Sequence, residues 1–145
     1  MSARPLKILV ADKDLAVRTA MDRIIRGHGH LYEGVVDAHA CLHKIEQHHY
    51  DILFLDLFIT GMDGLELLKT VRAKSPITSV ILLSSLDEPD IINSLLQKGA
   101  RAFLIKPLRD AVITDVITRI AAGTMSQDLT PQGEDDVTDA VNPPA

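Results

Sequence analysis

The sequence has little of several things that would point to particular classes of protein. Its single cysteine excludes an internal disulfide, which suits a reducing compartment. Trp is absent and aromatic residues make up only 3% of the chain, so the core must be built from aliphatic side chains. No apolar run approaches the ~20 residues of a membrane span, and the first residues lack the apolar stretch of a signal peptide. These features predict a cytoplasmic protein.

The sequence also has no excess of basic residues. Lys and Arg number 15 against 20 Asp and Glu, so the formal net charge is -5. This charge argues against non-specific nucleic-acid binding and against docking on an anionic membrane. The 145 residues, 46% of them hydrophobic, suit one folded domain. We therefore expect a single domain with neither nucleic acid nor membrane as a partner.

Short apolar runs alternate with segments of helical spacing. Four runs are near-continuous, as in strands covered on both faces of a parallel sheet, at residues 6–11, 52–55, 80–83 and 102–105, with a weaker edge strand at 31–36. Helices are predicted over residues 14–26, 37–48, 65–73, 89–98 and 109–121. Within the third helix we expect Leu65, Leu68 and Val71 to face the core. The alternation predicts an α/β fold with a doubly wound, five-stranded parallel sheet.

The composition changes after Gly123. Residues 124–145 contain three prolines and the acidic run Glu134-Asp135-Asp136, with few large apolar side chains. Such a segment buries too little apolar surface to offset the entropy of ordering it. We predict a folded domain over residues 1–123 and a disordered tail over 124–145, too short to be an output domain.

Polar side chains follow each of the four strong strands. They are Asp12, Lys13 and Asp14 after the first, then Asp56, Ser84 and Lys106. Ligands of open parallel sheets bind beyond the carboxyl ends of the strands, so these groups should converge there. A carboxylate can accept a phosphoryl group, a hydroxyl and a Lys can bind its oxygens, and a second carboxylate can help to hold Mg²⁺. The set suits phosphoryl transfer, although Asp12 and Asp14 could instead merely cap the first helix.

The chain carries two motifs by which it resembles the receiver domain of bacterial response regulators, and the resemblance covers about residues 7–121. They are Tyr-Asp-Ile-Leu-Phe-Leu-Asp, which ends at Asp56, and Gly61-Met62-Asp63-Gly64-Leu65-Glu66-Leu67-Leu68. The spacing to Ser84 and to Lys106-Pro107 also matches. The resemblance implies a flavodoxin-like sheet in the order 2-1-3-4-5, a cis peptide between Lys106 and Pro107, and a role in two-component signal transduction rather than an enzyme activity.

The resemblance also implies roles for individual positions. Asp56 would accept the phosphoryl group from a histidine kinase or a histidine phosphotransfer protein. Ser84 would be the switch hydroxyl, and Lys106 would pair with a phosphoryl oxygen. Phe103 would occupy the aromatic switch position. Mg²⁺ would be held by three groups: the carboxylates of Asp12 and Asp56 and the backbone carbonyl of Phe58.

Partners are implied only in outline. A stand-alone receiver is expected to signal through contacts with a downstream protein that the sequence does not identify. The last helices and residues 102–105 would make those contacts, in a monomer or a weak homodimer.

Two departures from the family pattern lie in the loops after the first and third strands. The family usually has two adjacent acids after the first strand, but here Lys13 stands where the second acid would bind Mg²⁺ directly. We therefore expect weak Mg²⁺ binding that survives through Asp12, Asp56 and water. Thr60 replaces a frequent proline in the loop after Asp56, which predicts a less rigid loop.

Two other functions remain open from the sequence. The departure at Lys13 allows a receiver-like interaction module that is not phosphorylated. Asp12-Lys13-Asp14 also resembles the Asp-x-Asp motif of haloacid-dehalogenase phosphatases, but no late strand ends in the acidic pair that those enzymes need. A flavodoxin is disfavoured because Asp12 and Asp14 would repel a flavin phosphate. The histidines, including His39 and His43, are interpreted as surface residues, and Cys41 as a small core residue.

Overall fold

One layer of parallel strands lies between two layers of helices in the computed structural model, which describes residues 4–123. The strands are β1 (Lys7–Ala11), β2 (Leu31–Val35), β3 (Ile52–Asp56), β4 (Ser79–Ser84) and β5 (Ala102–Ile105). They form one sheet in the order β2-β1-β3-β4-β5, and every neighbouring pair is parallel. The predicted doubly wound sheet is confirmed. The predicted tail, residues 124–145, lies outside the described residues.

A helix follows each strand. The helices are α1 (Leu15–Gly27), α2 (Ala38–Gln47), α3 (Gly64–Lys74), α4 (Pro89–Gln97) and α5 (Asp110–Ala122). The Asp14 carboxylate caps α1 by accepting the N–H of Ala16 at 2.9 Å. Asp37 caps α2, as predicted, and Pro89 lies in the first turn of α4, where its missing N–H costs nothing. None of the helices described within residues 4–123 is long and apolar enough to cross a membrane.

The sheet divides the core into two parts because successive strand side chains point to opposite faces. On one face, alternate residues such as Leu9, Leu53 and Leu55 pack with α2, α3 and α4. On the other, Ile8 and Phe54 pack with α1 and α5. All five residues of β3 are buried. Each large apolar side chain removed from water contributes about 1.5–3 kcal/mol, so the central strand anchors the domain.

The predicted core face of α3 is wrong at one position. Leu67, Leu68 and Val71 are buried, whereas Leu65 is only partly buried against the same cluster. Three leucines within four residues leave the helix orientation ambiguous from spacing alone. The close approach of Gly64 to the preceding loop fixes the rotation, and that contact is not visible in the periodicity.

Polar contacts tie the segments together at the amino ends of the strands. The Leu6 N–H donates to Nδ1 of His30 at 2.9 Å. The Asp51 carboxylate accepts hydrogen bonds from the guanidinium of Arg4 at 2.7 Å and from the N–H of Lys7 at 2.8 Å. These hydrogen bonds lower the Asp51 pKa to about 2. Because this edge lies opposite the carboxyl ends, it contributes to stability without approaching the predicted site.

Candidate functional site

The carboxyl ends of four strands bring together the polar groups that the sequence singled out. The register sets the last residues of β1, β3, β4 and β5 side by side. Asp12 directly follows β1, Asp56 and Ser84 end β3 and β4, and Lys106 directly follows β5. The Lys106–Pro107 peptide is cis, as the resemblance implied. The predicted convergence of these side chains on one edge is confirmed.

Lys106 joins the two carboxylates. Its Nζ lies 2.8 Å from Oδ2 of Asp12 and 3.8 Å from Oδ2 of Asp56. Asp12 is fully buried, and its other oxygen, Oδ1, accepts the N–H of Asp14 at 2.9 Å. A buried carboxylate without such partners would be costly, so the ammonium and the amide together stabilise the charge of Asp12. Asp12 therefore belongs to the site as well as to the start of α1, whereas Asp14 is the helix cap.

Asp56 lies in an environment that opposes its ionisation. Burial raises its pKa above the ordinary value, and the neighbouring charge of Asp12 acts in the same direction. The N–H of Phe58 donates a hydrogen bond to Oδ1 of Asp56 at 3.1 Å, which lowers the Asp56 pKa. The positive charges of Lys106 and Lys13 also lower it. The result is a carboxylate of raised basicity beside a positive group, which favours nucleophilic chemistry.

Ser84 is oriented by the residues that follow it. Its Oγ accepts the N–H of Leu86 at 3.0 Å, and the side chain is buried. The carbonyl of Ser84 accepts the N–H of Lys106 at 2.8 Å, so the ends of β4 and β5 are fixed to each other. Since Oγ is the acceptor in the bond from Leu86, the hydroxyl proton remains available for an acceptor in the pocket.

The loop after Asp56 is held by close backbone contacts. A Cβ on Gly64 would lie 2.0 Å from the carbonyl oxygen of Leu57, so only glycine allows α3 to begin so near the loop. The carbonyl of Thr60 accepts the N–H of Ala38 at 2.9 Å, which ties the loop to the start of α2. This contact supplies a restraint at the position where the sequence predicted a less rigid loop.

The remaining predicted residues lie on either side of this pocket. The Phe58 side chain is 62% exposed, so only its backbone can serve the site. Phe103 is fully buried among the residues that face α2, α3 and α4. Lys13 is exposed at the end of β1. Sequence reasoning missed Arg18, whose Nη1 donates to the carbonyl of Asp12 at 2.7 Å; its position one turn after the cap of α1 was the only available signal.

The donor set suits a hard cation but is small. Within residues 4–123 no group of three or more His, Cys, Asp or Glu side chains is placed to hold a metal ion. The pocket contributes the carboxylates of Asp12 and Asp56, and both oxygens of Asp12 already accept hydrogen bonds. Oxygen ligands fit Mg²⁺, which usually keeps several waters. His39 and His43 are exposed on α2, as predicted, and Cys41 is buried, which raises the pKa of its thiol to about 12.

Comparison with known proteins agrees with this geometry. The family model of the response regulator receiver domain matches residues 8–118. The chain is 34% identical over 125 residues to the sensory/regulatory protein RpfC of Xanthomonas campestris, covering 83% of this chain but 17% of RpfC. It is 29% identical to the chemotaxis protein CheY of Listeria monocytogenes, covering 80% of this chain and 98% of CheY. The structure of the chemotaxis response regulator CheY4 of Vibrio cholerae superposes with a TM-score of 0.75 at 22% identity, covering 81% and 99% of the two chains.

A doubly wound parallel sheet with two carboxylates, a hydroxyl and an ammonium at its carboxyl edge is the arrangement of a phosphorylation-controlled signalling module. The chain belongs to the family of response regulator receiver domains of two-component systems. This membership overturns the alternative of a haloacid-dehalogenase phosphatase, because the matched region covers both Asp12 and Asp56 in a receiver framework.

Proposed function

We propose that Asp56 accepts a phosphoryl group from the phosphohistidine of a histidine kinase or a histidine phosphotransfer protein. The observation that carries the proposal is the position of Lys106 Nζ, 2.8 Å from Asp12 and 3.8 Å from Asp56. One ammonium thus spans the nucleophile and its neighbouring carboxylate. A group placed in this way can pair with the negative phosphoryl oxygens as they become bonded to Asp56.

The transfer would use groups that are already in place. An oxygen of the Asp56 carboxylate forms a bond to phosphorus while the bond from phosphorus to the histidine nitrogen breaks, and the ring nitrogen keeps the electron pair. Lys106 meets one phosphoryl oxygen and relaxes its contact with Asp12. Ser84 donates its hydroxyl proton to another oxygen while it still accepts the N–H of Leu86. Phe103, buried below the site, adjusts its packing as Ser84 moves.

Mg²⁺ is included in this proposal as a weakly held cofactor. Asp12, Asp56 and the carbonyl of Phe58 are the groups that would hold it, with water as the remaining ligands. When bound, the ion would supply positive charge beside the transferring group. The two-carboxylate pocket supports binding of this kind but offers fewer charged ligands than a dedicated site.

A groove beside the pocket supports docking of the phosphodonor. A cavity of about 470 Å³ runs between α1 and the segment after β5, and it is lined by Val17, Met21, Lys106, Pro107 and Leu108 among others. Its walls are mainly apolar, and it reaches Lys106 at the site. We place the donor protein there, in the cytoplasm, where a free thiol such as Cys41 is stable.

The output surface is the least constrained part of the proposal. Signalling would pass through residues 102–105 and the last helices to a downstream protein, with the receiver acting as a monomer or a weak homodimer. Support comes from Phe103, because this buried residue belongs to the strand that ends beside Lys106.

Incubation with acetyl phosphate and Mg²⁺, followed by weighing of the intact protein, tests the phosphoacceptor. The wild-type chain should gain the mass of one phosphoryl group, and Asp56→Asn should gain none because its amide is not a nucleophile. Asp63→Asn is the matched control, since the Asp63 carboxylate is exposed and makes no capping hydrogen bond. Undiminished labelling of Asp56→Asn would assign the phosphate to another residue.

The second candidate function is a receiver-like interaction module that takes no phosphate. The internal ion pair between Lys106 and Asp12 favours it, because the pocket is partly neutralised without any ligand. The same experiment separates the two functions: a wild-type chain that remains unlabelled by acetyl phosphate at every Mg²⁺ concentration supports the module.

A further inference from the structure

The charges around Asp56 are balanced by the chain itself. Asp12 and Asp56 contribute two carboxylates, and Lys106 contributes one ammonium within 4 Å of both. The next residue after Asp12 is Lys13, so a second lysine side chain starts from the same strand end. The formal charges of these four side chains sum to zero, so a Lys13 ammonium turned toward the pocket would weaken its attraction for a divalent cation and favour an anion.

Lys13 has the freedom to reach into this pocket. Its side chain is exposed at the carboxyl end of β1. Its positive charge also acts on the Asp56 carboxylate, since it is one of the groups that oppose the raised pKa of Asp56. The long, flexible stem of a lysine lets the ammonium approach a ligand from the solvent side.

We propose that Lys13 is a second phosphoryl-binding residue, which meets the phosphoryl oxygens opposite Lys106 and replaces part of the charge that Mg²⁺ would supply. This inference rests on the proposed function of Asp56. It assigns to this receiver a phosphorylation that depends only weakly on the metal ion.

The charge change during transfer explains why a second ammonium matters. With acetyl phosphate as donor, an Asp56 oxygen bonds to phosphorus as the bond from phosphorus to the acetate oxygen breaks, and acetate leaves with the electron pair. The acyl phosphate carries about two negative charges near pH 7, about one more than the carboxylate it replaces. Lys106 alone would have to neutralise this group and the buried Asp12. With Lys13 the two ammonium groups divide that task.

The experiment compares the wild-type chain with Lys13→Gln and Lys13→Asp. The matched control is Lys98→Asp, which makes the same charge change. Lys98 follows α4 and precedes β5, so it lies at the edge of the sheet opposite the site. Labelling by acetyl phosphate is followed by intact mass in EDTA and in Mg²⁺. Wild type and Lys98→Asp should lose less than about tenfold in rate in EDTA, whereas Lys13→Asp should lose at least a hundredfold and recover with Mg²⁺. Lys13→Gln should lie between them.

A second readout does not depend on phosphorylation. Calorimetric titration with Mg²⁺ alone should show binding at least tenfold tighter in Lys13→Asp than in wild type, with Lys98→Asp unchanged. Equal Mg²⁺ affinity in wild type and Lys13→Asp would overturn the inference, as would an equal loss of labelling in EDTA. Failure of the proposed function would look different: no wild-type labelling in any condition, or labelling that survives Asp56→Asn.

Discussion

Asp56 shows at the scale of one residue how a reactive group conflicts with stability. Its carboxylate is buried beside a second, fully buried carboxylate, and within residues 4–123 the Lys106 ammonium alone lies within 4 Å of both. Burial raises the Asp56 pKa, so the folded chain disfavours the ionised form relative to the unfolded chain. This cost is present at pH values above the raised pKa and disappears below the ordinary pKa of an aspartate.

Removing that charge should stabilise the domain. Asp56→Asn keeps the shape of the side chain and leaves Lys106 paired with Asp12, so its melting temperature at pH 7 should rise by a few degrees, as about 1 kcal/mol gives in a domain of this size. Differential scanning calorimetry measures the effect, with Asp63→Asn as the neutral control. A lower melting temperature for Asp56→Asn would show that its charge supports the fold.

At the scale of one element, Gly64 determines where α3 begins. Alanine there would place a methyl group 2.0 Å from the Leu57 carbonyl oxygen, so either the helix or the loop after Asp56 must move. Gly64→Ala should therefore destabilise the chain by about 2–4 kcal/mol, in the range of severe packing defects. Urea denaturation gives the free energy of unfolding.

Gly27→Ala is the matched control for this substitution. It lies in the last turn of α1 with nothing within 4 Å of the added methyl group. Alanine is the better helix former, so this variant should be neutral or slightly more stable. Equal losses in the two variants would contradict the argument that close approach, and not helix propensity, requires glycine at position 64.

The elements themselves could be predicted from the sequence, whereas their lateral contacts could not. Apolar runs and capping residues such as Asp37 placed all ten elements to within one or two residues. Residues at strand ends also identified the site, because parallel strands bring their carboxyl ends together. The contact of Lys106 with Asp12, rather than mainly with Asp56, joins residues 94 positions apart and depends on side-chain placement. The bond from Arg18 to the Asp12 carbonyl and the partly buried hydrogen bond from Tyr50 to Glu33 also depend on side-chain placement.

At the scale of the whole molecule, charge is unevenly distributed along the chain. Residues 1–123 contain equal numbers of acidic and basic side chains, so the formal net charge of -5 comes entirely from residues 124–145. Residues 1–123 therefore have no excess charge to repel other copies of the chain. Net charge away from zero favours solubility, and here the C-terminal segment supplies it.

The stability of the whole domain should fall in mild acid through His30. Its Nδ1 accepts the N–H of Leu6, which requires a neutral ring, and burial together with the charge of His28 lowers its pKa, although Asp51 opposes this. The unfolded chain therefore binds more protons in this range. The stabilisation is complete above about pH 6.5 and is lost as the pH falls through the lowered pKa.

Melting temperatures at pH 7.5 and pH 5.5 measure this contribution. The melting temperature of wild type should fall by a few degrees between pH 7.5 and pH 5.5. That of His30→Asn should not fall, because the Asn oxygen can accept the same hydrogen bond without titrating. His39→Asn, at an exposed position on α2, should behave like wild type. An identical loss in His30→Asn and wild type would assign the acid sensitivity to other groups.

The order of strands also has a consequence for biosynthesis. β3 is the central strand and pairs with β1 on one edge and with β4 on the other. β1 is synthesised before β3, whereas β4 and β5 are synthesised after it. A nascent chain that has just released Asp56 from the ribosome can already assemble β2, β1 and β3. It then exposes the unpaired edge of a strand with four apolar residues out of five until Ser84 has emerged, a few seconds later at about 5–20 residues per second. During that interval the growing receiver presents a strand edge that can pair with another chain.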